Sequence, residues 1–255
     1  MEKSEYSYFL GKSDINISSH THTNRFFPFV VAVHVNKGEY FCRCKEKSIS
    51  AKEGETLIVP EYILHDIEMK ASGNLSWMHI CAHIGGNDAL SGYRSPFIIG
   101  SELSDNLKMS IDTLNNISFS SSIQYLKKDF YISNFFITVL ENIKIPAENT
   151  DTPWQRDIKN YITENISKKF TLKELASFSN MSESSFSHKF RLEIGNAPIK
   201  YIICQKINAS LSMLRDGNTI NYIARTLGFS NEYYYSKQFK AVTGITPTQY
   251  RKNMI

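Results

Sequence analysis

From about residue 18 to residue 100 the apolar positions come in short runs. FFPFVVAVHV (26–35), YFCRCK (40–45), ETLIVP (55–60), HDIEMK (65–70) and SWMHICAHI (76–84) are rich in β-branched and aromatic residues, the composition that suits a pleated, half-buried strand. Turn-forming clusters part them: Asn36-Lys37-Gly38, Lys52-Glu53-Gly54 and Ser72-Gly73-Asn74. Short strands at such regular spacing predict a sandwich or barrel. After Gly100 the spacing becomes helical. Residues 103–114 and 123–143 favour helix, and in the second Leu126, Phe130, Phe136, Val139 and Leu140 fall near one face. That apolar load is high for a solvated linker, so this helix should pack on the barrel, on a second subunit, or on both. The segment IPAENTDTP (145–153), polar with two prolines, marks a boundary. From Trp154 onward the pattern is helical throughout, in segments 154–166, 172–179, 183–193, 198–214, 219–226, 231–242 and 247–253.

The last hundred residues contain an internal repeat. TLKELASFSNMSESSFSHKFRLEIGNAPIKYI from Thr171 lines up with TINYIARTLGFSNEYYYSKQFKAVTGITPTQYR from Thr219. Up to the turn the offset is 48: Leu172 matches Ile220, Leu175 Ile223, Ala176 Ala224 and Ser182 Ser230. Beyond it one residue is inserted and the offset is 49: Phe186 matches Tyr235, Phe190 Phe239, Gly195 Gly244, Pro198 Pro247 and Tyr201 Tyr250. Each match has a physical use. The small alanine lets two helices approach. Asn180 and Gly228 occupy the turn position that needs φ > 0, which their residue types tolerate. Ser182 and Ser230 suit the N-cap of the next helix. Phe186/Phe190 and Tyr235/Phe239 are inward i, i+4 pairs. Gly195 and Gly244 can end that helix in the left-handed conformation, and Pro198 and Pro247 can start another. Helix, tight turn and amphipathic helix make a helix-turn-helix, here twice, over about 172–193 and 219–242. The structural alternative is a helical interaction domain with similar corners.

Charge separates the two halves. Residues 153–255 hold fifteen Lys/Arg against seven Asp/Glu, a net of +8, while the rest nets −4. A basic half joined to an acidic one suggests that only one half meets a polyanion. The four cysteines, 42, 44, 81 and 204, form neither a CxxC pair nor a disulfide framework. The N-terminus MEKSEYSYFLGKS lacks the apolar core of a signal peptide, and no run approaches the about 18 apolar residues of a membrane span. A cytoplasmic protein without membrane contact is expected. No P-loop, GxSxG or kinase signature is present, so no catalytic residue is assigned.

On these residues, 154–255 resembles the DNA-binding domain of AraC/XylS-type transcription regulators, most specifically over IARTLGFSNEYYYSKQFKAVTGITPTQYRK (223–252). Residues from about 18 to 150 are similar in layout to that family's effector domain, a cupin-like barrel followed by two helices. The resemblance implies an α+β two-domain protein. Its parts would be a cupin-like effector-binding and dimerisation domain over 1–145 (barrel about 18–100, helices about 102–143), a linker over 146–153, and an all-α DNA-binding domain over 154–255 with two modules joined by a long helix. It implies double-stranded DNA as partner, a homodimer, and RNA polymerase as a further partner if the protein activates. The family's base-reading positions fall on Ser184, Ser187 and His188 in the first module, and on Glu232, Tyr233, Ser236 and Lys237 in the second. A long basic residue is usual at the 188 and 237 positions. Lysine can donate to guanine O6 and N7, whereas His188 reaches less far, so the first module is expected to read through shape and water, or its serines to form a solvated helix face. Lys189, Lys206, Arg215, Arg225, Lys240, Arg251 and Lys252 are expected on phosphates, giving affinity without sequence information.

Six of the seven histidines lie in the N-terminal half, and strand SWMHICAHI puts Trp77, His79, Cys81 and His83 on one face. GETLIVPEYILH (54–65) resembles the second cupin motif, with Tyr62 where many cupins have glycine. Three readings stand. A small polar, sugar-like effector would be held by His20, His22, Lys37, His65, Trp77, His79, Cys81 and His83, of which the resemblance carries Lys37, His65, His79 and Cys81 toward the pocket. Alternatively, a metal would sit on His20, His22 and His65, but these make an incomplete set, because no Glu follows His22 at the spacing cupin enzymes use. Neither metal nor cofactor is expected, and a metalloenzyme fused to a DNA-binding tail is the remote alternative. Thirdly, these side chains simply fill a barrel in a regulator with no effector.

Overall fold

The structure is a computed structural model. It describes the backbone of residues 5–15, 20–45, 47–84, 87–88, 90, 93–117, 121–143 and 151–252, and their side chains except in 5–20 and 81–88. The chain divides into two compact units, residues 1–149 and 150–255. Most of the expected 146–153 linker lies outside the described residues.

Among the described residues the first unit holds ten strands and two helices: β1 (Glu5–Ile15), β2 (His20–Arg25), β3 (Val30–Lys37), β4 (Glu39–Cys44), β5 (Lys47–Lys52), β6 (Thr56–Val59), β7 (His65–Met69), β8 (Gly73–Ile84), β9 (Asn87–Asp88), β10 (Phe97–Ile99), α1 (Ser101–Asn116) and α2 (Ser122–Glu141). The strands form two antiparallel sheets. One runs β1-β8-β3-β6-β10 with β9 beside β8; the other runs β2-β7-β4-β5. Among the described residues no strand pairing joins the two, so where a closed barrel was expected the structure shows two sheets facing each other across a core. β1 extends the first sheet N-terminal of the expected start, pairing with β8 from Glu5↔His83 to Ile15↔Gly73.

Period-2 alternation decides which way each side chain faces. Val31, Val33, Leu57, Val59 and Leu75 of the first sheet meet Tyr40, Cys42, Ile67 and Met69 of the second. Their neighbours Val30, Ala32, Ile58, Met78 and Ile80 face the other way, onto Leu107, Ile111 and Leu114 of α1 and Ile132, Phe135, Phe136 and Val139 of α2. The layers are therefore sheet, sheet and helices. The helix layer is pinned by polar contacts: His34 Nδ1 lies 3.0 Å from both Thr56 Oγ1 and Ser104 Oγ, and Ser76 Oγ donates to Asp112 Oδ1 at 3.0 Å. The other face of α2 is open, with Ile123, Leu126, Phe130 and Ile137 exposed.

The second unit is all helix: α3 (Pro153–Glu164), α4 (Leu172–Phe178), α5 (Glu183–Ile194), α6 (Pro198–Arg215), α7 (Ile220–Thr226), α8 (Glu232–Thr243) and α9 (Pro247–Lys252). The repeat is visible in its hydrogen bonds. Met181 N–H donates to Ala176 O and Phe229 N–H to Ala224 O, both at 2.9 Å; Asn180 N–H donates to Ser177 O and Gly228 N–H to Arg225 O, both at 3.1 Å. Both turns are thus the same Schellman closure, with Asn180 at φ 53° and Gly228 at φ 65°. Gly195 and Gly244 end α5 and α8 at φ 93° and 84°. The second N-cap differs from expectation. Ser182 caps α5 by accepting from Ser185 N–H, but Asn231, not Ser230, caps α8 by accepting from Tyr234 N–H. The inserted residue of the second copy falls just before the cap, so capping passes one position along.

Candidate nucleic-acid interface and inner-sheet site

The second helix of each helix-turn-helix, α5 and α8, is held from below by aromatic rings. In the first module Phe186 and Phe190 are buried, 5.5 Å apart between ring centroids, and Phe190 meets Tyr201 at 5.6 Å. In the second, Tyr235 and Phe239 are 5.8 Å apart, and Phe239 meets Tyr250 at 5.7 Å. The same support is built twice, and it turns the same helix face outward in both modules. On α5 Ser184 and His188 are exposed and Ser187 is half-buried; on α8 Glu232, Tyr233 and Lys237 are exposed and Ser236 is half-buried. Tyr233 is 76% exposed, a large ring presented to solvent.

The expected phosphate contacts divide. Arg215, Arg225, Lys240 and Lys252 are exposed on the unit's surface. Lys189 is half-buried, its Nζ 4.5 Å over the Trp154 ring and 3.8 Å from Glu193. Two expectations need correction. Lys206 is buried, its ammonium donating to Lys168 O at 2.6 Å and Leu227 O at 2.5 Å, so it cannot reach a phosphate. Arg251 is half-buried, donating through Nη2 to Asn218 O, with its Nε enclosed, and so ties α9 to the segment between α6 and α7. A basic residue in a DNA-binding domain need not face DNA; a helix end offers carbonyls that also want a donor.

In the first unit the structure gathers part of the expected effector set. His65, Trp77 and His79 lie between the two sheets. The His79 ring stands 5.1 Å from Trp77, 5.4 Å from Phe27 and 6.5 Å from Phe29. His22, within β2, and Lys37, at the end of β3, are exposed instead. For their side chains His20, Cys81 and His83 lie outside the described residues. A residue that sequence reasoning missed joins the site. β2 carries a bulge between His22 and Arg25, with Asn24 at φ 55° and its N–H on Asp66 Oδ1 at 2.7 Å. A bulge re-aims the side chain that follows, and Arg25 comes to lie opposite His65, its guanidinium 4.8 Å over the Phe27 ring and hydrogen-bonded to Tyr40. The signal was a lone cation at the head of the apolar run FFPFVV.

Burial sets the electrostatics at this place. Burial pushes His79 down to about 3, and the Arg25 charge and His65 add to that. Burial likewise pushes His65 down to about 4, against the hydrogen bond its Nδ1 makes with Ile63 O. Both imidazoles are neutral, and His65 Nε2 is buried without a partner among the described residues. Burial lowers Arg25 as well, with Tyr40 and Cys42 acting in the opposite direction. Among the described residues no group of three His, Cys, Asp or Glu comes together as a metal site, and no helix is long and apolar enough to cross a membrane.

A helix-turn-helix domain family matches residues 175–253. The HTH-type transcriptional regulator YisR of Bacillus subtilis is 22% identical over 91% of this chain and 88% of its own length. An AraC-like transcription regulator of Streptomyces lividans is 32% identical over 34% of this chain and 29% of its own. Among solved structures, ToxT from Vibrio cholerae bound to (E)-4-(8-methylnaphthalen-1-yl)but-3-enoic acid superposes with a TM-score of 0.59 at 14% identity, covering 98% of this chain and 99% of that one. ToxT bound to an unsaturated fatty acid gives 0.55 at 17% identity, covering 98% and 97%. At these identities the likeness is one of fold: a β-sheet domain followed by a helical helix-turn-helix domain.

Proposed function

We propose that this chain, a transcription regulator with an AraC-type helix-turn-helix domain, reads an asymmetric DNA site with two recognition helices and answers to a small anionic effector held between its two N-terminal sheets. The observation that carries the DNA reading is the duplication: α5 and α8 present equivalent polar faces over equivalent aromatic supports. Ser184, Ser187 and His188, with Glu232, Tyr233, Ser236 and Lys237, are the proposed base contacts. Arg215, Arg225, Lys240 and Lys252, with Lys189 at the margin, are the proposed phosphate contacts. The 18 residues of α6 give a strut of about 27 Å, which suits two helices entering successive major-groove segments about 34 Å apart.

The effector reading rests on Arg25. Its guanidinium lies over the Phe27 ring beside the neutral imidazoles of His65 and His79, and the groups that act on it most strongly, Tyr40 and Cys42, are kept uncharged by burial. A carboxylate on an apolar body would supply a negative charge in bidentate geometry. The ToxT ligands named above are both carboxylic acids, which supports the same class here. A neutral sugar, expected from imidazoles and indole alone, would leave the charge uncompensated. The two facing sheets then act as the cupin-like container, and α2, apolar on both faces, joins two copies as a homodimer. An effector that favours one arrangement of the dimer would change how its modules meet DNA and, in an activator, RNA polymerase.

The test uses Trp77 as reporter. In Trp154→Phe it is the one tryptophan left. Benzoate, phenylacetate and hexanoate should quench or shift its fluorescence, their amides and L-arabinose should not, and Arg25→Gln should abolish the response. Equal responses to acids and amides would contradict the anionic class.

A further inference from the structure

Lys206 lies midway along α6, the helix that joins the two modules, yet it faces neither solvent nor DNA. Its ammonium sits between two parts of the domain. From the first module's side comes the loop between α3 and α4, which leads into it: Lys168 O accepts a hydrogen bond at 2.6 Å, and the Phe170 ring lies 6.0 Å away. From the second comes the turn before α8: Leu227 O accepts at 2.5 Å, and the Phe229 ring lies 5.7 Å away. One carbonyl and one aromatic face from each side therefore meet a single positive charge. Carbonyl oxygens and ring faces are both attracted to an ammonium, more strongly where water is excluded.

The joint is tight as well as charged. Gly228, in the second module's turn, approaches the α3–α4 loop so closely that a Cβ there would stand 2.3 Å from Ser167 O and 3.2 Å from Lys206 Nζ. That turn and the loop thus touch backbone to backbone beside the lysine. A helix such as α6 fixes its own length but not the angle at which each module leaves it. That angle is set where Lys206 and Gly228 lock loop to turn.

We propose that Lys206 is a positioning residue that sets the spacing between the two recognition helices, and so selects the distance between the half-sites of a bipartite DNA target. The inference rests on the reading that both modules bind DNA. Two modules joined stiffly bind a correctly spaced pair far better than either half, because the second contact is made at high effective concentration. A loosened joint loses that advantage and tolerates other spacings, while each module still reads its own half.

The test uses the full chain as wild type, Lys206→Met and Gly228→Ala. Lys206→Met removes the charge at similar length; Gly228→Ala disturbs the same joint from the other side. Affinities are measured on a duplex selected by the wild type, on versions whose half-sites are moved apart or together by one to three base pairs, and on versions with one half scrambled. Circular dichroism on each variant checks folding. Both variants are expected to match the wild type on single half-sites, to lose about tenfold on the full site, and to show a flattened spacing profile. A wild-type spacing profile retained in both variants would overturn the proposal, as would an equal loss on full and half sites, since the lysine would then only support the fold. A wild type with no preference for paired half-sites would remove the two-module reading itself.

Discussion

Asn180 and Gly228 hold the same place in the two turns, both left-handed at φ 53° and 65°, but only the second is pressed against another part of the chain. Asn180 is exposed, and asparagine is tolerated in this conformation. Gly228 abuts the Ser167 carbonyl. Exchanging the residue types should therefore be asymmetric. Asn180→Gly should stay within about 1 kcal/mol of wild type. Gly228→Asn should cost about 2 kcal/mol or more, because the new Cβ displaces backbone. Urea unfolding of the two variants checks this; equal costs would deny the close approach.

Lys237 stands exposed on α8 where a base contact is proposed. Lys237→Ala should cost about 1–3 kcal/mol on the selected site and relax preference at one position. Lys252→Ala should instead weaken binding alike on all sequences and reduce the salt slope by about 1. Titrations at two salt concentrations separate the two behaviours. Lys206→Met should leave the salt slope at its wild-type value, since the buried ammonium neutralises no phosphate.

The inner-sheet imidazoles predict an acid limb in stability. Unfolded, each takes up a proton near the ordinary value of 6.5; folded, His65 does so only at about 4 and His79 at about 3. Between those values the unfolded chain binds more protons, so stability falls as pH drops from about 6.5 toward 4. His65→Gln and His79→Gln should each flatten that fall. Thermal unfolding at several pH values measures it, and a variant as acid-sensitive as the wild type would contradict the cause assigned.

The open face of α2 carries Ile123, Leu126, Phe130 and Ile137, spaced three, four and seven residues apart, each more than half exposed. Such a seam is what a second helix packs against. Phe130→Glu should shift the protein toward monomer in sedimentation, with little loss of fold because the buried residues of α2 lie on its other side. A dimer that survives Phe130→Glu and Leu126→Glu together would place the interface elsewhere.

The helical half was legible because the chain could be compared with itself: the same small, left-handed, aromatic and glycine positions recur, and each copy checks the other. The cap of α8 slipped by one because an insertion beside a turn can be placed on either Ser230 or Asn231. Lys206 and Arg251 were misplaced for a deeper reason. Composition says that a lysine is charged, but not that a carbonyl from the α3–α4 loop and one from the end of α7 will converge on it. Arg25 was passed over because its inward aim comes from a bulge, which leaves no periodic mark. β1, in EYSYFLGKSDI, was missed because its apolar residues are too mixed with small and charged ones to stand out before β8 is known as its partner. His22 and Lys37 were placed in the pocket by residue type; their side chains are exposed, within β2 and at the end of β3.

Whether one chain reads two half-sites is decided by selection from a randomised duplex library with the 255-residue chain. One asymmetric motif with two enriched blocks about one helical turn apart is expected, lost in part when Ser184 or Lys237 is replaced. Salt-sensitive retention of all sequences alike, with no motif emerging, would contradict it.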